Sequence, residues 1–491
     1  MMMFFNLIRE FLSIDFERFI LVKDFAHILS KANIDAELKA CGFRLIQYED
    51  VETFRFIFES EIKKNPEEKI CVIVTKEIYI PYDVYKFFRV CELSYSVIFP
   101  RLNGFVLENE KNIDFDLLAI ACDDLYRDLT SEAETRDFIE NTIFESQYIK
   151  VYIDQIDEKI TSILSNPMDY NAWFKIAYLK AKRNIMSSKF GFKNVEIEKS
   201  ISIKFSDFIM KQFGQLSGKS YFNGPVLISK VMDYLLMQKK KTALIVMDGM
   251  SISDWMIIEK HIDAPIDLKF MYAMVPTITS ISRQSLLSGL LPIEHEKPFS
   301  LANEKKQFIL KAEEALSAHE SVTFFRGFDF DIGYKDFFIC TIINEIDDLV
   351  HSQLQGLSGH FDGIERMAKT KKLDRLIYKL VQEGFEVFIT SDHGNKQALG
   401  IGKPKGTGVE VETKSQRMMI LKDYASKESL KELHHLSEYP GYYLPKEYSY
   451  LVCEDEDALA YQGDTVMSHG GISVEEVIVP FIRVKGDESN E

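Results

Sequence analysis

The chain has 491 residues, 46% of them hydrophobic and 27% charged, with 59 Lys and Arg against 76 Asp and Glu and a net charge of −17. That length suits about two to four domains with cores of their own, and the apolar content excludes general disorder. The acidic balance argues against a broad basic groove for duplex nucleic acid, but a metal ion can reverse the sign of one site and admit a phosphate-bearing substrate.

The chain begins MMMFFNLIREFLSIDFERFILV, in which Arg9 and Glu10 interrupt an apolar stretch that no basic region precedes. This predicts an amphipathic helix rather than a signal peptide. No run approaches the ~18 apolar residues of a membrane span. Cys41, Cys71, Cys91, Cys122, Cys340 and Cys453 are never closer than twenty residues, which excludes a CxxC pattern and reads as core thiols in a reducing compartment. The expected protein is soluble and cytoplasmic.

Three regions follow. Residues 1–105 mix helical patterns with short apolar runs such as Lys69–Val74, predicting a small α/β domain. Residues 106–240 read as a helical region whose acidic positions suit solvated faces. Lys239, Lys240 and Lys241 then form a polar lead-in to a strand. From 241 to 485 the pattern changes. Thr242–Met247 ends in Asp248-Gly249, Phe385–Thr390 ends in Ser391-Asp392-His393-Gly394, and helical segments such as 364–383 lie between. Such alternation predicts an α/β domain with a mainly parallel sheet flanked by helices, with its chemistry at the carboxyl ends of strands. Nine of the ten histidines lie at or after His261.

Five pieces carry the chemistry: Asp248-Gly249, the run from Pro276 to Thr279-Ser280, Asp347-Asp348 with His351, Asp392-His393-Gly394, and Ser468-His469-Gly470-Gly471. Each alone is ordinary; Asp-Gly makes turns, and an acid four residues before a histidine makes surface pairs. Together they suit two metal ions. Zinc takes imidazole nitrogen and carboxylate oxygen and keeps an open position in catalytic sites. Asp347 and His351, at i and i+4, project from one helix face to a first ion that His469 completes. Asp248, Asp392 and His393 hold the second, with Thr279 as an exchangeable ligand. Asp348 competes with Asp347, although the spacing favours Asp347. Two ions ~4 Å apart clamp the attacking and leaving oxygens of an in-line displacement at phosphorus, and coordination activates the Thr279 hydroxyl as nucleophile.

The order of these motifs resembles the alkaline phosphatase superfamily, and specifically its PglZ domain. VPTITSISRQSLLSGLLP is similar to the nucleophile segment of the superfamily's nucleotide phosphodiesterases, in which the second threonine of P-T-x-T, here Thr279, attacks phosphorus. DDLVHS matches the D-x-x-x-H pair, TSDHG supplies Asp392 and His393, and HGGISVEEVIVPFI resembles the closing segment of PglZ domains with His469. The resemblance covers residues 240–485 and implies an alkaline phosphatase-like catalytic domain over 241–485. It also implies a setting in phage defence, as in a BREX-like complex, or in nucleotide signalling, with protein partners from such a system.

In two places the chain departs from related enzymes. The asparagine that holds the phosphoryl group in related phosphodiesterases has no clear counterpart. Arg283 lies four residues after Thr279, on the same face of a helix beginning there, and a guanidinium so placed binds two phosphoryl oxygens. Residues 393–422 carry Lys396, Lys403, Lys405, Lys414, Arg417 and Lys422 against Glu410 and Glu412. That balance reads as a mobile loop or as a flap steering an anionic substrate. His434-His435 reads as helix surface, and Trp173 and Trp255 as core aromatics.

The expected activity is a zinc-dependent phosphohydrolase, with Mn2+ the alternative ion. Its substrate is a phosphodiester such as a nucleotide or short oligonucleotide, cleaved through a phosphothreonine at Thr279 with Arg283 on the non-bridging oxygens. The alternatives are a phosphomonoesterase, favoured by Arg283, and a metal-bearing interaction module of a defence complex.

Overall fold

The computed structural model describes residues 3–32, 34–110, 112–314, 316, 320–352, 355–402, 415–422, 427–434 and 436–485. Contacts divide the chain into two compact units, Met1–Ser162 and Ile163–Glu491. The helical stretch expected over 106–240 is therefore shared between the units instead of standing alone.

The first unit holds four parallel strands, β1 (Phe19–Lys23), β2 (Phe43–Gln47), β3 (Lys69–Val74) and β4 (Arg89–Glu92), in the order β2-β3-β1-β4. In β3 every residue after Lys69 is buried, as expected of a strand covered on both faces. Leu21 and Ile46 both face Val72, on either side of it, in the sheet register. Phe54, Phe58 and Phe88 pack with these strands into one core. The helix Met3–Leu12 buries Phe4, Phe5, Ile8 and Leu12 along one face, which is the amphipathic pattern seen in the sequence. Among the described residues, no strand occurs between Glu92 and Thr242.

The second unit is built on six strands: β5 (Thr242–Met247), β6 (Ile266–Tyr272), β7 (Ser321–Arg326), β8 (Asp336–Ile343), β9 (Glu386–Thr390) and β16 (Ile478–Val484). Their order is β6-β16-β9-β5-β8-β7. β9, β5, β8 and β7 run parallel, while β16 runs antiparallel to both neighbours. This is the mainly parallel α/β sheet that the sequence predicts. β5 is buried along its whole length, because helices cover both faces of a central parallel strand. The core joins Ala243, Ile245 and Met247 of β5 to Trp255, Ile364, Leu376 and Ile389.

Two three-stranded sheets fill the segment before β16. One, in the order β11-β13-β12, contains β11 (Met418–Lys422), β12 (Leu436–Tyr439) and β13 (Tyr448–Cys453). The other, β14-β10-β15, contains β10 (Lys396–Gly400), β14 (Asp457–Ala458) and β15 (Thr465–Ser468). All six cysteines are free, and four are buried. Trp173 and Trp255 are buried as core aromatics. His434 departs from expectation: it ends the helix Lys427–His434 as a buried residue, not a surface one. His435 lies outside the described residues. Among the described residues, no helix is long and apolar enough to cross a membrane.

Candidate metal centre

One end of the large sheet gathers the five motifs. β5 ends at Met247 and delivers Asp248; β9 ends at Thr390 and delivers Asp392 and His393. β8 ends at Ile343 and leads into the helix Glu345–Ser352, which carries Asp347 and His351. β6 leads through Pro276 to the helix Thr279–Ser288, which Thr279 opens. Because β16 runs against its neighbours, it starts where they finish. The segment that enters it, with His469, therefore meets the same end of the sheet.

Asp347, His351 and His469 present ligand atoms within 4.8 Å of one another, as do Asp248, Asp392 and His393. In the first group Asp347 Oδ1 is 3.2 Å from His351 Nε2 and 3.7 Å from His469 Nε2. The two imidazole Nε2 atoms are 3.4 Å apart. His469 Nδ1 is 2.9 Å from the Thr277 carbonyl, which can only accept, so Nδ1 carries the proton and Nε2 keeps a lone pair for a ligand bond. Asp348, its competitor in the sequence, is exposed and lies outside this group.

His393 repeats the arrangement in the second group. Its Nδ1 faces the Gly394 carbonyl at 3.0 Å. Its Nε2 lies 3.0 Å from Thr279 Oγ1 and 3.8 Å from Asp248 Oδ1. The His393 and His469 rings stack at 4.2 Å and join the two groups.

Buried oxygens test whether these residues suit cations. Asp392 Oδ1 accepts from the Gly249 and His393 amides at 3.2 and 3.1 Å, and Asp248 Oδ2 accepts from Arg283 Nη1 at 2.5 Å. Among the described residues, Asp392 Oδ2, Asp248 Oδ1 and Asp347 Oδ1 are buried without a hydrogen-bond donor. A buried carboxylate oxygen without a partner is costly, and a cation satisfies it. The three orphans belong to the two groups of three, so the residues fit two cations. The charges agree, since three carboxylates gather here and Arg283 lies beside two of them, Asp248 and Asp392.

Burial and the neighbouring Asp392 push the Asp248 carboxyl well above its usual range, against the pull of Arg283. Burial opposes ionisation of Asp347 too, yet the imidazoles of His351 and His469 beside it bring it down to about 2. Burial and the neighbouring His393 lower His469 to about 3, so its imidazole is neutral at pH 7.

Arg283 sits elsewhere than the sequence reading put it. It is buried, its Nη1 donates to Asp248, and its Nε donates to Glu304 Oε2 at 2.9 Å. Those two groups are taken by carboxylates, not left for a phosphoryl group. Of the flap residues, Lys403, Lys405, Glu410, Glu412 and Lys414 lie outside the described residues. Arg417 is buried and pairs with Glu476, so it does not belong to an open lysine-rich loop.

The supports around the ligands were not visible in sequence. Glu476 Oε1 accepts from the Gly471 amide at 2.7 Å and from Arg417 Nε, while Ser415 Oγ donates to the His469 carbonyl. A Cβ on Gly470, at φ +104°, would lie 1.7 Å from that Ser415 oxygen, so the loop closes only around glycine. Asp254 is fully buried. It accepts from Asn395 Nδ2 at 2.6 Å and the Ser251 amide at 2.9 Å, and it faces His360 Nε2 at 2.8 Å. Asn395 also donates to the Gly249 carbonyl, tying the Asp248 turn to the Asp392 turn. A Ser251–Asp254 capping box is the one local signal for this network.

Residues 226–484, more than half the chain, match the family model of the BREX system PglZ alkaline phosphatase-like domain. The chain belongs to the PglZ family. The PglZ domain thus begins before β5 and ends with β16. Solved structures similar to the chain include murine ectonucleotide pyrophosphatase/phosphodiesterase 5, at 12% identity and a TM-score of 0.34 over 50% of this chain and 88% of that one. The human counterpart is similar at 13% identity and a TM-score of 0.35, over the same shares. Phosphonoacetate hydrolase from Sinorhizobium meliloti, in complex with phosphonoformate, is similar at 12% identity and a TM-score of 0.35, over 51% of this chain and 92% of that one. No curated protein matches the chain.

Proposed function

We propose that the PglZ domain is a two-metal phosphohydrolase that cleaves phosphodiesters, such as nucleotides or short oligonucleotides, through a phosphothreonine at Thr279. The observation that carries this reading is the set of three donorless carboxylate oxygens, on Asp248, Asp347 and Asp392, with the Thr279 hydroxyl 3.0 Å from His393 of the second group. Asp347, His351 and His469 would hold one ion, and Asp248, Asp392 and His393 the other, with zinc favoured by the mixed imidazole and carboxylate donors. The ions supply charge for the phosphoryl oxygens and lower the pKa of a nearby hydroxyl.

The chain's own residues do the remainder. Thr279 opens a ten-residue helix, so its Oγ is held beside first-turn amides that favour an anion. Attack forms the Oγ1–phosphorus bond as the bond to the leaving oxygen breaks. Water then forms a new phosphorus–oxygen bond as Oγ1 leaves, restoring the hydroxyl. His351, exposed on its helix, marks the solvent side of the site, while His393 and His469 are buried. A largely buried centre of this kind suits a small anion better than a duplex.

With Arg283 engaged by Asp248 and Glu304, the feature that favoured monoesters is gone, so the diester reading leads. A defence or signalling setting, with protein partners from that system, accompanies the PglZ assignment as part of this proposal. Metal analysis of the purified protein, with chromogenic mono- and diesters assayed on wild type and Thr279→Ala, tests it. Bound metal, preference for the diester and loss of turnover in the variant are expected. Absence of metal, or turnover unchanged by the substitution, overturns the mechanism.

A further inference from the structure

Glu304 opens the helix Glu304–Glu313 and is buried at 2% exposure. Nothing around it in sequence marks it, yet it is the third residue in a line of alternating charge. Asp248 accepts from Arg283; Arg283 donates to Glu304; Glu304 Oε1 in turn accepts from Arg326 Nη2. The guanidinium therefore has two carboxylates pulling on it from different sides. On the metal side Arg283 Nη1 is 2.5 Å from Asp248 Oδ2 and 3.9 Å from Asp392 Oδ2. Asp392 Oδ2 is one of the donorless oxygens.

This geometry sets up a competition. A buried guanidinium must keep its N–H groups bonded, and it forms its strongest bonds to carboxylates. Released from Glu304, Arg283 needs to move only slightly to bond Asp392 Oδ2 as well as Asp248. It would then cover the oxygens on which the second ion depends. Held by Glu304, it grips Asp248 by one oxygen and leaves Oδ1 turned toward His393.

We infer that Glu304 is a positioning residue that holds Arg283 back from the Asp248–Asp392–His393 ion site and, through it, aims Asp248 Oδ1 at the ion. The inference rests on the two-ion reading of the centre. Arg283 is here a positioning residue as well, acting on a ligand and not on substrate. The outer partner Arg326 is largely exposed, its side chain 54% accessible, and steadies Glu304 from the surface.

Metal titration of the apo full-length chain by calorimetry, read as two separate dissociation constants with zinc as the probe, tests this. Loss of an outer-shell partner weakens metal binding by about 10- to 100-fold. Glu304→Gln should weaken the Asp248–Asp392–His393 site to that extent and leave the other site within about twofold. In an Arg283→Met background the same substitution should have no further effect on either constant, because Glu304 acts only through Arg283. Arg326→Gln, on the surface and compatible with folding, should give a smaller loss at the same site.

Two ions on wild type with unchanged affinities in folded Glu304→Gln overturn the inference alone. So does an equal loss at both sites, or a loss that persists without Arg283. Fewer than two ions on wild type overturn the two-ion reading, and this inference with it.

Discussion

Thr279 Oγ1 lies 3.0 Å from His393 Nε2, although 114 residues separate them in the chain. The contact puts a hydroxyl against an imidazole nitrogen whose other nitrogen is already held by a carbonyl. That nitrogen faces Asp248 as well. The nucleophile candidate and the second group of candidate ligands therefore form one constellation.

Thr279→Ala removes the attacking oxygen but no carboxylate or imidazole. Diester hydrolysis should fall about a millionfold, as when a nucleophile is deleted from an otherwise intact site. Metal content should stay close to wild type, since the six other candidate ligands remain. Steady-state rates and metal analysis on the same preparation check both halves.

Chelation should destabilise the second unit. A cation would give its three buried donorless oxygens a partner, so binding favours the folded state. At free metal one hundred times the dissociation constant, the linkage is about 2.7 kcal/mol. Thermal melts with EDTA and with restored zinc should differ by several degrees and be reversible. Identical melts would count against ion binding.

Gly394 follows His393 and passes close to another backbone. A Cβ there would lie 1.9 Å from the Glu475 carbonyl oxygen, an atom no rotamer change can move. Gly394→Ala should cost more than about 3 kcal/mol, in the range of severe overpacking. Gly384→Ala is the control: its φ is +79°, but nothing lies within 4 Å of the added carbon. That substitution should cost about 1 kcal/mol, for backbone conformation alone. Denaturant midpoints distinguish the two.

Glu475 gives the second unit a defined acid sensitivity. Burial pushes its carboxyl up, but the buried Lys180, 3.2 Å away, and Lys396 outweigh burial and bring it from the ordinary 4.5 down to about 2. A depressed carboxyl contributes its stability above the unfolded value and loses it as pH falls through the folded one. The contribution, about 3 kcal/mol, should thus be present at pH 7 and fade between pH 4.5 and 2. Glu475→Gln should be less stable than wild type at neutral pH, with the gap narrowing across that interval. Unfolding free energies at a series of pH values check the sign.

Parts of this arrangement were legible before any coordinates. The run Thr242–Met247 and the run ending at Thr390 announced buried parallel strands by continuous apolar character and by the Asp that follows each. The i, i+4 spacing of Asp347 and His351 announced one helix face. Other readings failed for want of long-range information. Arg283 has the spacing of a phosphoryl ligand, but Glu304, 21 residues on, and Asp248, 35 residues back, draw its guanidinium inward. Arg417 belongs to a lysine-rich stretch, yet Glu476 and the carbonyls of Asp455 and Asp457 bury it. The division at residue 162 falls inside the helix Ser146–Leu164, so no break in the helical pattern marked it.

The acidic balance of −17 is likewise no longer uniform: three of its carboxylates sit where a cation would neutralise them. Sequence alone determined which residues stand at strand ends and helix faces, because periodicity and turn chemistry are local properties. It also determined the family, through motifs in a set order. Tertiary structure alone decided which oxygen of each carboxylate is held and which is left open, and that Glu304 stands behind Arg283. Those outcomes depend on distances between segments far apart in the chain, which no local pattern encodes.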